Sequence, residues 1–286
     1  MIKFFANNEI DKQRWDSCLE QSEDAKVYAY SWYLDVVSPN WAALIEDDYK
    51  SIFPIPIKKK FGISYIAQPL FTQQLGLFSI DKVLAVQLFL EAIPKKFWLR
   101  SLQIHSELKN IQTKDNFELD VSTDIDKIRK KYSQNVKRNL KKAAEQQFTI
   151  KECDNKSLIQ LFKEDKGKEV MGMNNKAYSI LSNLLDKLKE KKKGNCYGLF
   201  KDTKLISGAF FANCFGRSIY LFSASNAYAK EVGANHSLID SYIQHYKKES
   251  VILDFEGSMI PSLARFYASF GAVKKSYYLI KRKSWK

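Results

Sequence analysis

Between Asn195 and Ser225 the chain runs through three apolar stretches, "CYGLF", "KLISGAFFANCF" and "SIYLFSAS", separated only by Lys201-Asp202-Thr203 and by Gly216-Arg217. Runs rich in aromatic and branched residues, bounded by short polar turns, read as consecutive strands. Their surroundings narrow the fold further. Upstream lie a strand "FTIKEC", a helix from Ser157 to about Val170, and a helix from Tyr178 to Lys192 that Gly194 closes. Downstream come a turn, "NAYAKEVGAN", a helix from about Asn235 to Lys248, strand "VILDFEG", a helix from Pro261 to Phe270, and strand "SYYLIKRK". The order helix, helix, three strands, helix, strand, helix, strand admits few topologies.

The first half is also mixed α/β. Trp41–Asp47 and Lys50–Lys60 flank an acidic turn and read as a hairpin, with Pro54 and Pro56 placing its second strand at an edge or bulge. A broken strand follows from Gly62 to Phe78. Asp81 is expected to cap a helix running to Ala92, with Val83, Leu84, Leu88 and Ala92 on one face. Strands are expected near Phe97–Gln103 and Asn116–Val121. At Ser122 the composition shifts to a basic helix striped by Ile128, Tyr132, Val136 and Leu140. A length of 286 residues suits two domains, and this shift sets the expected division at 1–121 and 122–286.

Several function classes lack support. Only three histidines are present, with no serine-nucleophile elbow, zinc-protease helix, Walker loop or dinucleotide fingerprint. The four cysteines, Cys18, Cys153, Cys196 and Cys214, have no metal spacing and are expected to be buried free thiols; no metal is expected. No apolar run reaches the roughly 20 residues of a membrane span, and no signal peptide is apparent, so a cytoplasmic location is expected. The net charge of +14 fits an anionic partner or simply a lysine-rich composition. Between Lys127 and Lys142 there are eight basic residues and no acidic one, which fits a tRNA, an anionic lipid-linked substrate, coenzyme phosphates, or a solvated helix face.

Two segments carry candidate chemistry. In "KEVGANHSLI" Gly233 permits a close backbone approach at a helix N-terminus, where free amides bind phosphate; a plain strand-to-helix turn explains it too. In "ARFYASFGA" Tyr267 precedes the Phe270-Gly271 helix stop, either as a packing aromatic or as a proton donor.

In this order the elements resemble the GNAT acyltransferase superfamily, in which an [R/Q]-x-x-G-x-[G/A] turn holds the pyrophosphate of acyl-coenzyme A and a later tyrosine protonates the thiolate. Lys230, Gly233 and Asn235 match the turn inexactly, and Tyr267 matches the tyrosine. "YAYSWYLDVV", "IAQPLFTQQLG", "NVKRNLKKA" and "RFYASFGA" together resemble the Fem-type branch, over nearly the whole chain. That resemblance implies two tandem GNAT-like domains with mixed sheets flanked by helices, the first on the acceptor side and the second on the donor side. It implies an N-acyltransferase that passes an acyl group from acyl-coenzyme A to a small-molecule or peptide amine by direct attack. Fem-type enzymes using aminoacyl-tRNA carry Phe-Lys-x-x-Phe where this chain has Phe266-Tyr267-Ala268-Ser269-Phe270, a departure that favours coenzyme A. Aminoacyl transfer from tRNA to an anionic cell-envelope precursor is the alternative, and a non-catalytic anion-binding role is a third.

The expected donor site comprises Lys230, Gly233, Ala234, Asn235 and His236, with strand amides at Phe222, Ser223 and Ala224 facing the acyl carbonyl. Asp254 and Glu256, two apart on one strand face, are the candidate bases or else cap the next turn. Tyr65, Gln73 and Gln74 are candidates for acceptor binding or for bonding their own loop.

Overall fold

The computed structural model describes residues 1–81, 85–165, 167, 170, 172–246, 250–257 and 259–281. They divide into two compact units, Met1–Lys114 with Ser276–Lys286, and Asp115–Lys275. The division differs from the expected one because Tyr278–Ile280 pair with Ile104–Leu102, which returns the last strand to the first unit.

The first unit contains β1 (Ile2–Phe5), α1 (Lys12–Gln21), α2 (Ser31–Val37), β2 (Ala42–Glu46), β3 (Ser51–Ile55), β4 (Ile57–Lys60), β5 (Ile63–Ala67), β6 (Phe78–Ser79), α3 (Val86–Glu91) and β7 (Trp98–Ile104). One sheet has the order β1-β2-β3-β6. Pro54 is accommodated because β6 pairs only with Ser51 and Ile52, leaving Pro54 with β2 alone. In a second sheet β4 pairs with β5, and β5 runs parallel to β7. Trp15 and Trp41, both fully buried, meet edge to face at 4.8 Å in the core. The helix expected from Asp81 begins only at Val86, and its buried residues are Val86 and Phe89 while Leu88 faces solvent; Val83 and Leu84 lie outside the described residues.

From the boundary onward come β8 (Gln112–Asp120), α4 (Ile125–Lys130), α5 (Gln134–Ala144), β9 (Phe148–Glu152), α6 (Asn155–Asp165), α7 (Asn175–Glu190), β10 (Gly194–Lys201), β11 (Lys204–Cys214), β12 (Arg217–Ser225), α8 (Ala227–Glu231), α9 (Ala234–Ser241), β13 (Ile252–Asp254), α10 (Pro261–Ala268) and β14 (Val273–Ile280). The second unit's sheet has the order β8-β13-β12-β11-β10-β9, antiparallel except at β12–β13. The single basic helix expected after Ser122 is two helices: Ser133 interrupts it, its hydroxyl capping the Val136 amide and its own amide donating to the Ser269 carbonyl. Of the stripe, Ile128, Tyr132 and Val136 are buried in one cluster with Phe117 and Leu119 of β8, Leu238 and Ile239 of α9, and Phe270, while Leu140 is partly buried. Cys153 and Cys196 form a disulfide, correcting the expectation of four free thiols; they lie side by side because β9 pairs with β10, although 43 residues separate them in sequence. Cys18 and Cys214 are free.

One side chain ties three strands of this sheet. Arg217, first in β12, places Nη1 2.7 Å from Glu118 Oε1 on β8 and 2.9 Å from Asp254 Oδ2 on β13. Burial pushes the Asp254 carboxyl up and Arg217 pulls it back, while both carboxylates hold the guanidinium charged. Removing one member of a buried ionic set strands the others without compensation. Arg217→Met is therefore expected to cost about 3–5 kcal/mol in urea unfolding. A loss below about 1 kcal/mol would show that the cluster is not structural.

Candidate functional site

Beyond the Arg217 tie, β12 and β13 part. They pair only as Arg217↔Ile252, Ser218↔Leu253 and Ile219↔Asp254. From Tyr220 to Ser225 β12 keeps its partner β11 but has no strand on its other side among the described residues. A bulge accompanies the parting: Phe211 faces Tyr220 and Phe210 faces Phe222, so Leu221 is an extra residue in β12. Bulges of this kind bend a strand and re-aim its side chains. Backbone polar groups along an unpaired strand edge are available to a ligand.

The opposite wall turns sharply. Asp254 is buried and ion-paired, and its Oδ1 accepts the Glu256 amide at 2.9 Å. It is thus committed to holding the turn, one of the two readings that its sequence position left open. Glu256 itself adopts φ 57°, the left-handed region that costs a side-chain-bearing residue roughly 1–2 kcal/mol. Its carboxylate comes near enough to raise the Tyr267 phenol.

Tyr267 lies on α10 with its ring stacked on Phe255 at 4.8 Å and 16°. Burial first, then Tyr220 and Glu256, push its phenol well above the usual range, so it holds its proton at neutral pH. Tyr220 meets Tyr267 edge to face at 6.4 Å. Burial pushes Tyr220 up to about 12, with its hydroxyl in hydrogen-bonding reach of the Ser223 side chain. The mouth of the split therefore gathers Tyr220, Ser223, Glu256 and Tyr267. Phe222 and Ala224 instead bury their side chains, Phe222 against Phe162 of α6 at 4.9 Å. Tyr220 and Arg217 are absent from the sequence-based site: Arg217 reads as a turn residue, and Tyr220 as one more strand aromatic.

The segment expected to seat a phosphate joins α8 to α9. Helix α8, capped by Asn226, intervenes between β12 and Gly233. Gly233 has φ 76°, and a Cβ there would lie 2.3 Å from the carbonyl oxygen of Asn139 on α5. The glycine thus permits α5 to cross the start of α9 at close range. Ala234 is fully buried. Asn235 ties α9 to the sheet, accepting from Ser207 Oγ at 2.7 Å and donating to Ser225 Oγ at 3.1 Å. Lys230 Nζ pairs with Asp165 at 2.7 Å. His236 packs edge to face on Phe266 at 4.9 Å and against Phe270, with Nε2 buried and lacking a hydrogen-bond partner among the described residues.

In the first unit, Gln73 and Gln74 are buried and Gln74 Nε2 donates to Gln73 Oε1 at 2.7 Å, in a loop that Gln68 also braces through the Thr72 carbonyl. These contacts match the reading in which they bond their own loop. Tyr65 sits on β5 opposite Trp98, ring centroids 6.4 Å apart. Among the described residues no group of His, Cys, Asp and Glu is placed to hold a metal, and no helix is long and apolar enough to cross a membrane.

No protein-family model matches the sequence, and a comparison with curated protein sequences returns no match. Solved structures do resemble it. A crystal structure of FemX aligns with a TM-score of 0.67 at 13% identity, covering 95% of this chain and 96% of that one. The structure of L-PGS from Bacillus licheniformis aligns at 0.58 and 12% identity over 96% and 92%. A tandem GNAT protein from the clavulanic acid biosynthesis pathway aligns at 0.54 and 7% identity over 98% and 97%. The chain has the Fem-type, tandem GNAT-like fold.

The buried histidine makes stability depend on pH. Burial lowers His236 from 6.5 to about 4, so the folded protein keeps it neutral where the unfolded chain binds a proton. Its contribution is complete above about pH 6.5 and is lost as pH falls towards 4, by up to about 1.4 kcal/mol per pH unit. Urea unfolding between pH 7 and 4.5 is expected to show proton uptake that His236→Phe reduces by about one proton; equal uptake in both proteins would contradict the burial.

Proposed function

We propose that this chain is an acyltransferase that passes an activated acyl group directly to an amine at the split between β12 and β13. The observation that carries the reading is the unpaired edge of β12 from Tyr220 to Ser225, lying opposite Glu256 and beside Tyr267. The acyl carbonyl lies on that edge, whose backbone N–H groups stabilise the oxyanion as the amine attacks. Glu256 takes one proton from the acceptor ammonium to free the amine that attacks, Tyr267 gives its phenolic proton to the departing group, and the second proton shed by the amine nitrogen restores the phenol. Asp254 positions Glu256 through its amide and takes no proton itself.

Two observations bear on the donor and favour the alternative to acyl-coenzyme A. At Gly233 the Asn139 backbone crosses on the side that a Cβ would occupy, and Lys230 is engaged by Asp165. The raised phenol of Tyr267 is also a poor acid for a thiolate, whose conjugate thiol has an ordinary pKa of about 8.5. An alkoxide is a far stronger base and takes that proton readily. An oxygen ester such as aminoacyl-tRNA therefore fits the acid better than a thioester does. The basic faces of α4 and α5 suit its phosphates. A lysine at position 267 is thus not required for an ester donor.

The test supplies charged tRNA or acyl-coenzyme A with methylamine as a small amine acceptor and follows formation of the N-methyl amide. Transfer from charged tRNA is expected, with Tyr267→Phe and Glu256→Gln each lowering kcat by about 10²–10⁴-fold. Transfer from acyl-coenzyme A alone would overturn the donor assignment and keep the reaction. No transfer from either, or full activity in both variants, would overturn the reaction as well.

A further inference from the structure

The turn joining β4 to β5 is built against the usual rules. Its central residues are Phe61 and Gly62, both with positive φ, 50° and 78°. Such two-residue hairpin turns normally carry Asn-Gly or Asp-Gly, since a bulky residue is strained there and a polar one is better solvated. Phe61 is 91% exposed and its neighbour Ile63 65%. The ring's near neighbour is the Lys60 ammonium, 5.1 Å from its centroid. A strained turn that presents an aromatic ring and an aliphatic side chain to water serves neither folding nor solubility.

Topology adds charge at the same place. Because β5 and β7 are parallel, with Tyr65 level with Trp98, the residues entering β7 lie at the hairpin-tip end of the sheet. Lys95 and Lys96 are exposed there, as are Lys59 and Lys60 at the end of β4, and Trp98 is 38% exposed one step behind them. No acidic residue occurs from Lys50 to Ile80 or from Ala92 to Ser106. Lysines on an edge strand alone would be ordinary protection against strand pairing. That does not account for Phe61 and Ile63. An apolar tip, cations around it and a Tyr–Trp pair behind it match the layers of a bilayer surface, from acyl chains through headgroups to interface.

We infer that this end of the first unit docks on the surface of an anionic phospholipid bilayer, with Phe61 and Ile63 entering the interface and the lysines engaging headgroup phosphates. The inference does not depend on the acyltransferase reading. It is tested by co-sedimentation of the full chain with vesicles of phosphatidylcholine alone and of phosphatidylcholine with phosphatidylglycerol. Binding is expected only to the second, weakening as salt rises. Phe61→Ser is expected to weaken it about tenfold, and Lys59→Gln with Lys60→Gln about fivefold per lysine. All three residues are exposed, so unchanged thermal midpoints are expected in the variants. Equal binding to both vesicle types would overturn the inference. So would indifference to Phe61→Ser, capture of RNA homopolymers without any vesicle binding, or self-association through β4 in place of lipid binding.

Discussion

The architecture of the second unit hangs on the charge set Glu118–Arg217–Asp254. Parallel strands β12 and β13 share only three register pairs, a short contact for two strands that must then diverge. Arg217 sits at the start of that contact and reaches across β13 to β8, so the closed end of the split is fixed by ionic and hydrogen-bond contacts. Well-packed apolar residues at such a position can match a buried ion pair in stability. What the charges supply is placement: Asp254 also accepts the amide of Glu256, so one carboxylate both closes the strands and sets the turn from which Glu256 emerges. Where the sheet opens, the bulge at Leu221 and the left-handed Glu256 bend the two strands in separate ways. Strain of this kind persists only where surrounding contacts over-determine it.

The wall that carries Tyr267 is held by a second, apolar set. The Tyr267 ring stacks on Phe255 and Phe270 packs on Tyr132, while His236 wedges between Phe266 and Phe270. These contacts join α10 and the turn after it to the end of β13, to the link between α4 and α5, and to α9. The close crossing of α5 over the start of α9, which only a glycine at 233 allows, belongs to the same packing. Gly233, which the sequence leaves open as a phosphate turn or a plain strand-to-helix turn, also makes this helix–helix contact possible.

Much of this was legible in the sequence for identifiable reasons. The three strands from Asn195 to Ser225 announced themselves because their turns are short and polar, and the Ile128–Tyr132–Val136 stripe because burial demands a helical period. Tyr267 stood out through its place before a helix-ending Phe-Gly. The rest depends on partners far away in the chain. Arg217 reads as a turn residue until Glu118, 99 positions earlier, is seen beside it. The closeness of Asn139 to Gly233 cannot be read from the sequence, and Cys153 reads as free until β9 and β10 pair. Helix α8 does not show in the sequence because a five-residue helix is too short to display a period.

The first unit has a separate logic, a sheet end where strained turn, exposed apolar groups and lysines coincide. The central claim concerns the second unit, namely that the split between β12 and β13 receives the acyl group. Amide hydrogen exchange tests it most directly, with the protein alone and in the presence of a non-hydrolysable, amide-linked aminoacyl-tRNA or of acetyl-coenzyme A. The account predicts slowed exchange at Tyr220–Ser225 and at Phe255–Gly257 when the donor is bound. Protection confined to other segments, with these amides exchanging as in the free protein, would contradict it.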